Sequence, residues 1–300
     1  MPNHTFTSGS RENHGGSMTE RNQGVLYVVA TPIGNLEDLS PRAQRTLAEV
    51  ELIAAEDTRH TAVLLNHFRI RTPMAALHDH NETQRTPTLV TKLLAGDSLA
   101  LVSDAGTPLI SDPGFNLVRA ARAAGIRVIP IPGACALIAA LSVSGLPTDR
   151  FVFEGFLPPK TAARCLRLGQ LQSETRTLVF YEAVHRLTES LSDMLQVFGG
   201  ERQAVIAREL TKLHESVHQD TLAALLAWAD SDNPIRKGEV VVLVAGLAAK
   251  NTAMETDKIL TILLEELPVK QAAALAAKLT GGKRNAIYQR ALEIYKLPNI

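Results

Sequence analysis

From residue 24 to about residue 249, short β-branched runs alternate with stretches whose apolar positions recur every three or four residues. Such alternation predicts a largely parallel sheet with helices on both faces. Strands are expected at 24–30, 51–55, 74–77, 98–103 and 127–131. Helices are expected at about 58–68 and 115–124, the second closed by Gly125 in a left-handed cap. Ser40-Pro41 opens another helix, since serine caps the first free amides and proline suits the first helical position. Ala43, Leu47 and Val50 continue it at helical spacing.

A turn-rich break, Gly145-Leu146-Pro147-Thr148-Asp149, marks the expected domain boundary. Beyond it, strands are expected at 151–156, 177–181, 204–207, 213–217 and 240–245. Fewer helices separate them, so this second sheet is expected to be mixed. Trp228, among alternating Leu and Ala, reads as core. The remainder is helical and split in charge. Residues 251–267 carry one lysine against four acids, and 268–300 carry six lysines or arginines against one acid. Two short helices about Gly281-Gly282 with a basic second half suit a helix-turn-helix contact with nucleic acid. A solvated hairpin packed on the body fits that pattern equally well. Residues 1–23 are polar, with nothing to bury, and read as a disordered leader, which makes Met18 a competing start. The expected divisions are 1–23, a leader; 24–147 and 148–249, two α/β domains; and 250–300, a helical extension.

Composition adds exclusions. Apolar residues at 45% and charged residues at 21% are ordinary for a globular chain. Lys plus Arg and Asp plus Glu both number 31, a formal net charge of zero. That disfavours a surface that binds nucleic acid everywhere and leaves room for local basic patches. The mostly apolar stretch 134–143, which Ser142 interrupts, is too short to span a bilayer. The two cysteines, Cys135 and Cys165, form no C-x-x-C pair, which argues against a disulfide scaffold or a cysteine zinc site. With no secretory signal in the leader, the expectation is a cytoplasmic protein with no membrane partner. No G-x-G, P-loop, H-E-x-x-H or G-x-S-x-G pattern occurs.

Three loops at strand ends stand out. They are Ala30 to Leu36, the 12-residue stretch from Ser103 to Gly114, and Ile131 to Ala136. All combine proline, glycine and small side chains, which let backbone groups approach a ligand closely. Ligands of open α/β sheets sit beyond the carboxyl ends of the strands, where these loops fall. For Asp112-Pro113 the simplest reading is the cap and first residue of the next helix.

These loops also carry a family resemblance. Thr31-Pro32-Ile33-Gly34-Asn35-Leu36-Glu37-Asp38, Ala55-Glu56-Asp57-Thr58-Arg59, the 103–114 loop, Phe180-Tyr181-Glu182 with His185-Arg186, and Arg208-Glu209-Leu210-Thr211-Lys212 occur in that order. The chain closely resembles the small-subunit ribosomal RNA (cytidine-2′-O-)-methyltransferases of the tetrapyrrole methylase superfamily. The resemblance covers about 24–246 and extends to the helical tail. It implies two α/β domains with S-adenosylmethionine in the cleft between them, and a homodimer acting on the small ribosomal subunit. It also implies cofactor contacts at Pro32, Gly34, Asp104, Ala105, Gly106, Thr107, Pro132, Gly133, Ala134, Cys135 and Ala136, with Tyr181 and Glu182 closing the pocket. Porphyrin-type members carry a Gly-rich first loop and a Gly-Asp-Pro motif. Pro-Ile-Gly-Asn and Ser-Asp-Ala-Gly-Thr-Pro stand here instead, which favours an RNA substrate. The competing readings are a tetrapyrrole methyltransferase and a non-catalytic ribosome assembly factor.

A ribose hydroxyl is a weak nucleophile, so a general base helps. Candidates are Glu56, Asp57, His78, His80, Glu82, Asp112 and Glu182. Glu56, Asp57 and Arg59 are favoured at the acceptor site because they follow a strand directly and packing gives no reason for them. Asp57 as a simple helix cap is an equal reading. Expected RNA contacts are Asn35, His78, Glu82, Lys160, Arg164, Arg186, Lys283 and Arg284. His78-Asp79-His80 lacks further ligands for a metal, and no metal is expected.

Overall fold

A computed structural model describes residues 23–231, 238–247 and 252–296. The expected leader (residue 23 apart) and the expected division at 249/250 lie outside the described residues. The chain forms two compact units. The first holds the described residues through Pro32 together with Leu36–Ala134, and the second holds Ile33–Asn35 and the described residues from Cys135 onward.

The first unit runs β1 (Val25–Val29), α1 (Pro41–Glu49), β2 (Leu52–Ala55), α2 (Thr58–His67), β3 (Met74–Ala76), α3 (Glu82–Ala95), β4 (Leu99–Val102), α4 (Phe115–Ala123) and β5 (Arg127–Ile131). Its sheet has the order β3-β2-β4-β1-β5 with every pair parallel. Alternation along the strands explains the two covered faces. Ala100 and Val102 pack with Leu47, Leu64 and Leu65 from α1 and α2. Leu99 and Leu101 pack with Leu89, Leu93 and Leu117 from α3 and α4. Ser40 caps α1 by accepting from the Ala43 amide at 3.1 Å, as its sequence position implies. The pattern gave no warning of α3, whose interior Pro87 reads as a break. The ring sits on the exposed side, and Leu89 and Leu93 hold the helix to the sheet.

The second unit runs α5 (Ala136–Val143), β6 (Phe151–Phe156), α6 (Thr161–Gln170), β7 (Thr177–Ala183), α7 (Leu187–Phe198), β8 (Gln203–Arg208), β9 (Ser216–Thr221), α8 (Leu222–Asp230) and β10 (Glu239–Val244). Its sheet, ordered β6-β7-β10-β8-β9, is mixed: β6 and β7 are parallel and the other pairs antiparallel. Leu168, Leu187, Leu191, Met194 and Leu225 cover one face over Leu178, Phe180, Ile206 and Val242. Two sequence expectations shift. The chain passes to the second unit at Ala134, ahead of the expected 147/148 boundary, because α5 packs on β10. The strand expected at 213–217 begins only at Ser216, since the preceding turn leaves Leu213 93% exposed. Trp228 is half-buried beside the core and stacks on His218 at 4.0 Å.

The tail is helical as expected: α9 (Thr252–Glu266) precedes the two helices about the glycine turn, α10 (Val269–Thr280) and α11 (Arg284–Lys296). They share a small core of Leu260, Ala273, Ala276, Ile287 and Ala291. Gly281 closes α10 at φ +68°. Arg290 ties α11 back to Asp257 of α9 at 2.6 Å.

Candidate active site

In the first unit the loops after β1, β2 and β4 are stitched together by backbone. Thr31 and Gly106 exchange amide hydrogen bonds of 2.8 and 3.1 Å, and the Thr31 hydroxyl donates to the Ser103 carbonyl. The Asp57 amide donates to Asp104 Oδ1 at 3.0 Å, and the Asp104 amide donates to Glu56 Oε2 at 3.3 Å. Thr107 Oγ1 donates to the Ala134 carbonyl, linking this loop to the one after β5. At the latter, a Cβ on Gly133 would lie 2.9 Å from Ala30 Cβ, so only glycine fits. Leu109 and Ser111 hold left-handed φ angles of +73° and +68°, strain of the kind that collects at functional sites.

These loops gather Glu56, Asp104 and Asp112. Burial raises the Glu56 pKa, and the Asp104 and Asp79 charges add to it against a hydrogen bond from the Asp104 amide. Burial and the Glu56 charge push Asp112 to about 7, although Ser103 donates to it. Asp57 behaves differently. Its carboxylate accepts from the Arg59 amide at 2.8 Å and pairs with the Arg59 guanidinium at 2.7 Å, which holds its pKa well below the ordinary range. It is the cap of α2, and a carboxylate held so tightly in its charged form is no proton acceptor. Arg59 is 90% exposed beyond that pair.

Asp112 does not cap α4, contrary to expectation. Gly114 occupies that position without a side-chain bond. The free amides are served by Glu82, whose Oε1 accepts from the amides of Asn116 (2.7 Å) and Leu117 (3.2 Å). Glu82 is buried, so the RNA contact expected of it is withdrawn. His78 is half-buried in the loop after β3, its backbone amide and ring held by Asn81. His80 is exposed. Pro32 is half-buried, Ala105 lies within the 103–107 loop, and Pro132 is exposed.

In the second unit the Tyr181 hydroxyl accepts from the Leu137 amide at 3.2 Å, at the start of α5 beside Cys135 and Ala136. Its ring meets Phe153 and Phe156 edge-on. Glu182 points into the fold instead. It is buried, accepts from Ser190 Oγ at 2.5 Å and pairs with Arg186 at 3.1 Å, so it holds β7 to α7 rather than closing a pocket. Arg164 is also corrected: it is 1% exposed and spends its guanidinium on Asp193 at 2.6 Å. Gly34, Asn35, Lys160, Lys283 and Arg284 are exposed. Sequence reasoning gave no role to Lys212, which sits between Glu209 (2.9 Å) and Glu239 (2.8 Å). Burial opposes its charge, but the two carboxylates hold its pKa above the ordinary lysine value. Among the described residues no cluster of three could hold a metal ion, and no helix is long and apolar enough to cross a membrane.

The profile of the tetrapyrrole (corrin/porphyrin) methylases matches residues 25–226, and that of the RsmI C-terminal HTH domain matches 245–294. The Pseudomonas aeruginosa protein named ribosomal RNA small subunit methyltransferase I is 59% identical over 274 residues, covering 90% of this chain and 97% of its own. The chain belongs to the ribosomal RNA small subunit methyltransferase I family of tetrapyrrole methylases. The family member of Escherichia coli O157:H7 is 54% identical, over 91% of this chain and 96% of its own. Among solved structures, uroporphyrin-III C-methyltransferase from Thermus thermophilus aligns with TM-score 0.51 at 21% identity, over 74% of this chain and 94% of its own. Diphthine synthase aligns with TM-score 0.55 at 14% identity, over 74% and 89%. Those two likenesses show that the methyltransferase family shares its fold with enzymes of other names.

Proposed function

We propose that the protein transfers a methyl group from S-adenosylmethionine to the ribose 2′-hydroxyl of a cytidine in small-subunit ribosomal RNA. The observation that carries this reading is near-full-length identity of 59% to a protein named ribosomal RNA small subunit methyltransferase I. A related fold, at 18% identity, has been crystallised with S-adenosylhomocysteine. Residues 104–107 and 132–136, with Pro32, Gly34 and Tyr181, are the groups that would hold the cofactor. The chemistry of the site suits it. Burial raises the pKa of both Glu56 and Asp112, the Glu56 charge raises Asp112 further, and a cation beside them would favour their charged forms.

When bound, the cofactor supplies a methyl group on a positively charged sulfur. The acceptor hydroxyl must give up a proton, and a carboxyl with a pKa of about 7 is well matched to receive it near neutral pH. Asp112 is therefore assigned as the proton acceptor, with burial and the neighbouring Glu56 charge maintaining its high pKa. The Thr31–Gly106 pairing fastens the loop that carries Asp112, Ser103 donates to its carboxyl, and orientation of this kind lowers barriers by about several kcal/mol. Exposed Lys283 and Arg284 at the start of α11, with Lys160, supply phosphate contacts.

The protein is expected to act as a homodimer in the cytoplasm, where ribosomal particles are assembled; exposed Phe156 and Leu166 offer apolar surface to a partner copy. Radiolabelled S-adenosylmethionine and small ribosomal particles test the activity. The expected result is label on a cytidine 2′-oxygen. Cofactor binding with no label in RNA would sink the reading.

A further inference from the structure

The turn Arg208-Glu209-Leu210-Thr211-Lys212 has so far no role in the chemistry. Glu209 at φ +50° and Thr211 at φ +67° are left-handed without being glycine, a conformation that persists only where the surroundings enforce it. Charge does the enforcing. The Lys212 ammonium is held between Glu209 and Glu239, Glu209 also accepts from the Glu239 amide at 2.9 Å, and Glu215 accepts from the Thr211 amide at 2.6 Å. So anchored, the lysine lays its methylene stem across Gly34. A Cβ on Gly34 would lie 2.3 Å from Lys212 Cγ, 2.9 Å from Cε and 3.0 Å from Thr211 Oγ1.

Gly34 does not have a positive φ, so its glycine is demanded by space and not by backbone freedom. Thr211 Oγ1 is buried with no hydrogen-bond partner among the described residues. A strained turn, an unsatisfied hydroxyl and a bare glycine all cost stability, and they meet at one point. That point is the three-residue excursion Ile33–Asn35, the part of the first loop that clusters with the second unit.

We propose that Lys212 is a positioning residue for methyl transfer: by closing over Gly34 it fixes the 31–35 loop and sets Asn35 for the acceptor. The role rests on the methyl-transfer reading above.

The test uses the full-length protein carrying Gly34→Ala, Lys212→Ala or both. Readouts are S-adenosylhomocysteine binding by calorimetry, kcat and KM for methylation of small ribosomal particles, and the Asn35 backbone amide signal by NMR. Gly34→Ala is expected to lower kcat about tenfold or more and displace the Asn35 signal, and Lys212→Ala is expected to lower kcat while leaving S-adenosylhomocysteine affinity within about twofold. The double variant should return to the level of Lys212→Ala alone, because removing the stem makes room for the added methyl. Lys212→Arg should keep most of the rate, and Lys212→Met, which keeps the stem but not its anchor, should lose it. These two variants preserve the test if the alanine forms fail to fold. Additive effects at positions 34 and 212, or a Lys212→Ala protein with unchanged kcat and an unmoved Asn35 signal, would overturn the proposal. A wild-type protein that binds S-adenosylhomocysteine yet labels no RNA refutes the methyl-transfer reading instead, and the Asn35 signal still reports whether positions 34 and 212 are coupled.

Discussion

Asp112 holds a proton that an exposed aspartate would release. Its folded pKa of about 7 lies above the ordinary 3.8, so the fold favours the protonated form. The stability this contributes is complete below pH 3.8 and is lost as pH rises through 7. Asp112→Asn removes the dependence. It should match the wild type near pH 4 and exceed it by about 1–2 kcal/mol at pH 8, well below the full linkage value because solvent screens the group. Thermal melts across that range check the sign, and the same protein should lose most of its methylation rate. Arg164 makes the opposite case. Arg164→Ala strands Asp193 in the interior and should cost about 3–5 kcal/mol in urea unfolding, with RNA affinity unchanged. At this level the sequence told the two kinds of residue apart only in part. Glu56 stands out because it follows a strand with no packing reason to be there. Arg164 reads as an RNA contact and Glu182 as a pocket residue because their partners, Asp193 and Ser190, lie on α7, which the local pattern does not connect to them.

Between elements, Glu82 takes the place at α4 that the local pattern assigns to Asp112. An aspartate before Pro113 matches a local capping rule, but the amides of α4 are taken by a carboxylate 34 residues earlier in the chain. No local rule sees a partner that distant. Glu82→Ala should leave the Asn116 and Leu117 amides unsatisfied and cost about 2–3 kcal/mol, measured by denaturation, while KM for RNA stays constant. Strands are legible because alternation and β-branching are local signals, and all five of the first sheet lie within a residue or two of expectation. The errors fell where tertiary packing overrides local preference: Pro87 inside α3, the left-handed turn that delays β9, and α5 drawn to β10.

For the molecule as a whole, zero net charge conceals an uneven distribution, and the basic end of the tail is where salt should act. Lys283→Ala with Arg284→Ala is expected to weaken RNA binding and to reduce the slope of log affinity against log salt by about 1–2, leaving cofactor affinity intact. A different consequence follows from strand order. β1, the first strand among the described residues, finds its neighbours only at Leu99–Val102 and Arg127–Ile131. Its amides and carbonyls wait through most of the first unit before they are paired, and loop closure of that length is slow. Refolding of this protein should therefore be limited by the arrival of β5. Substitutions in β1 should slow folding and unfolding unequally, and a chain stalled on the ribosome before residue 127 should present an open strand edge to chaperones.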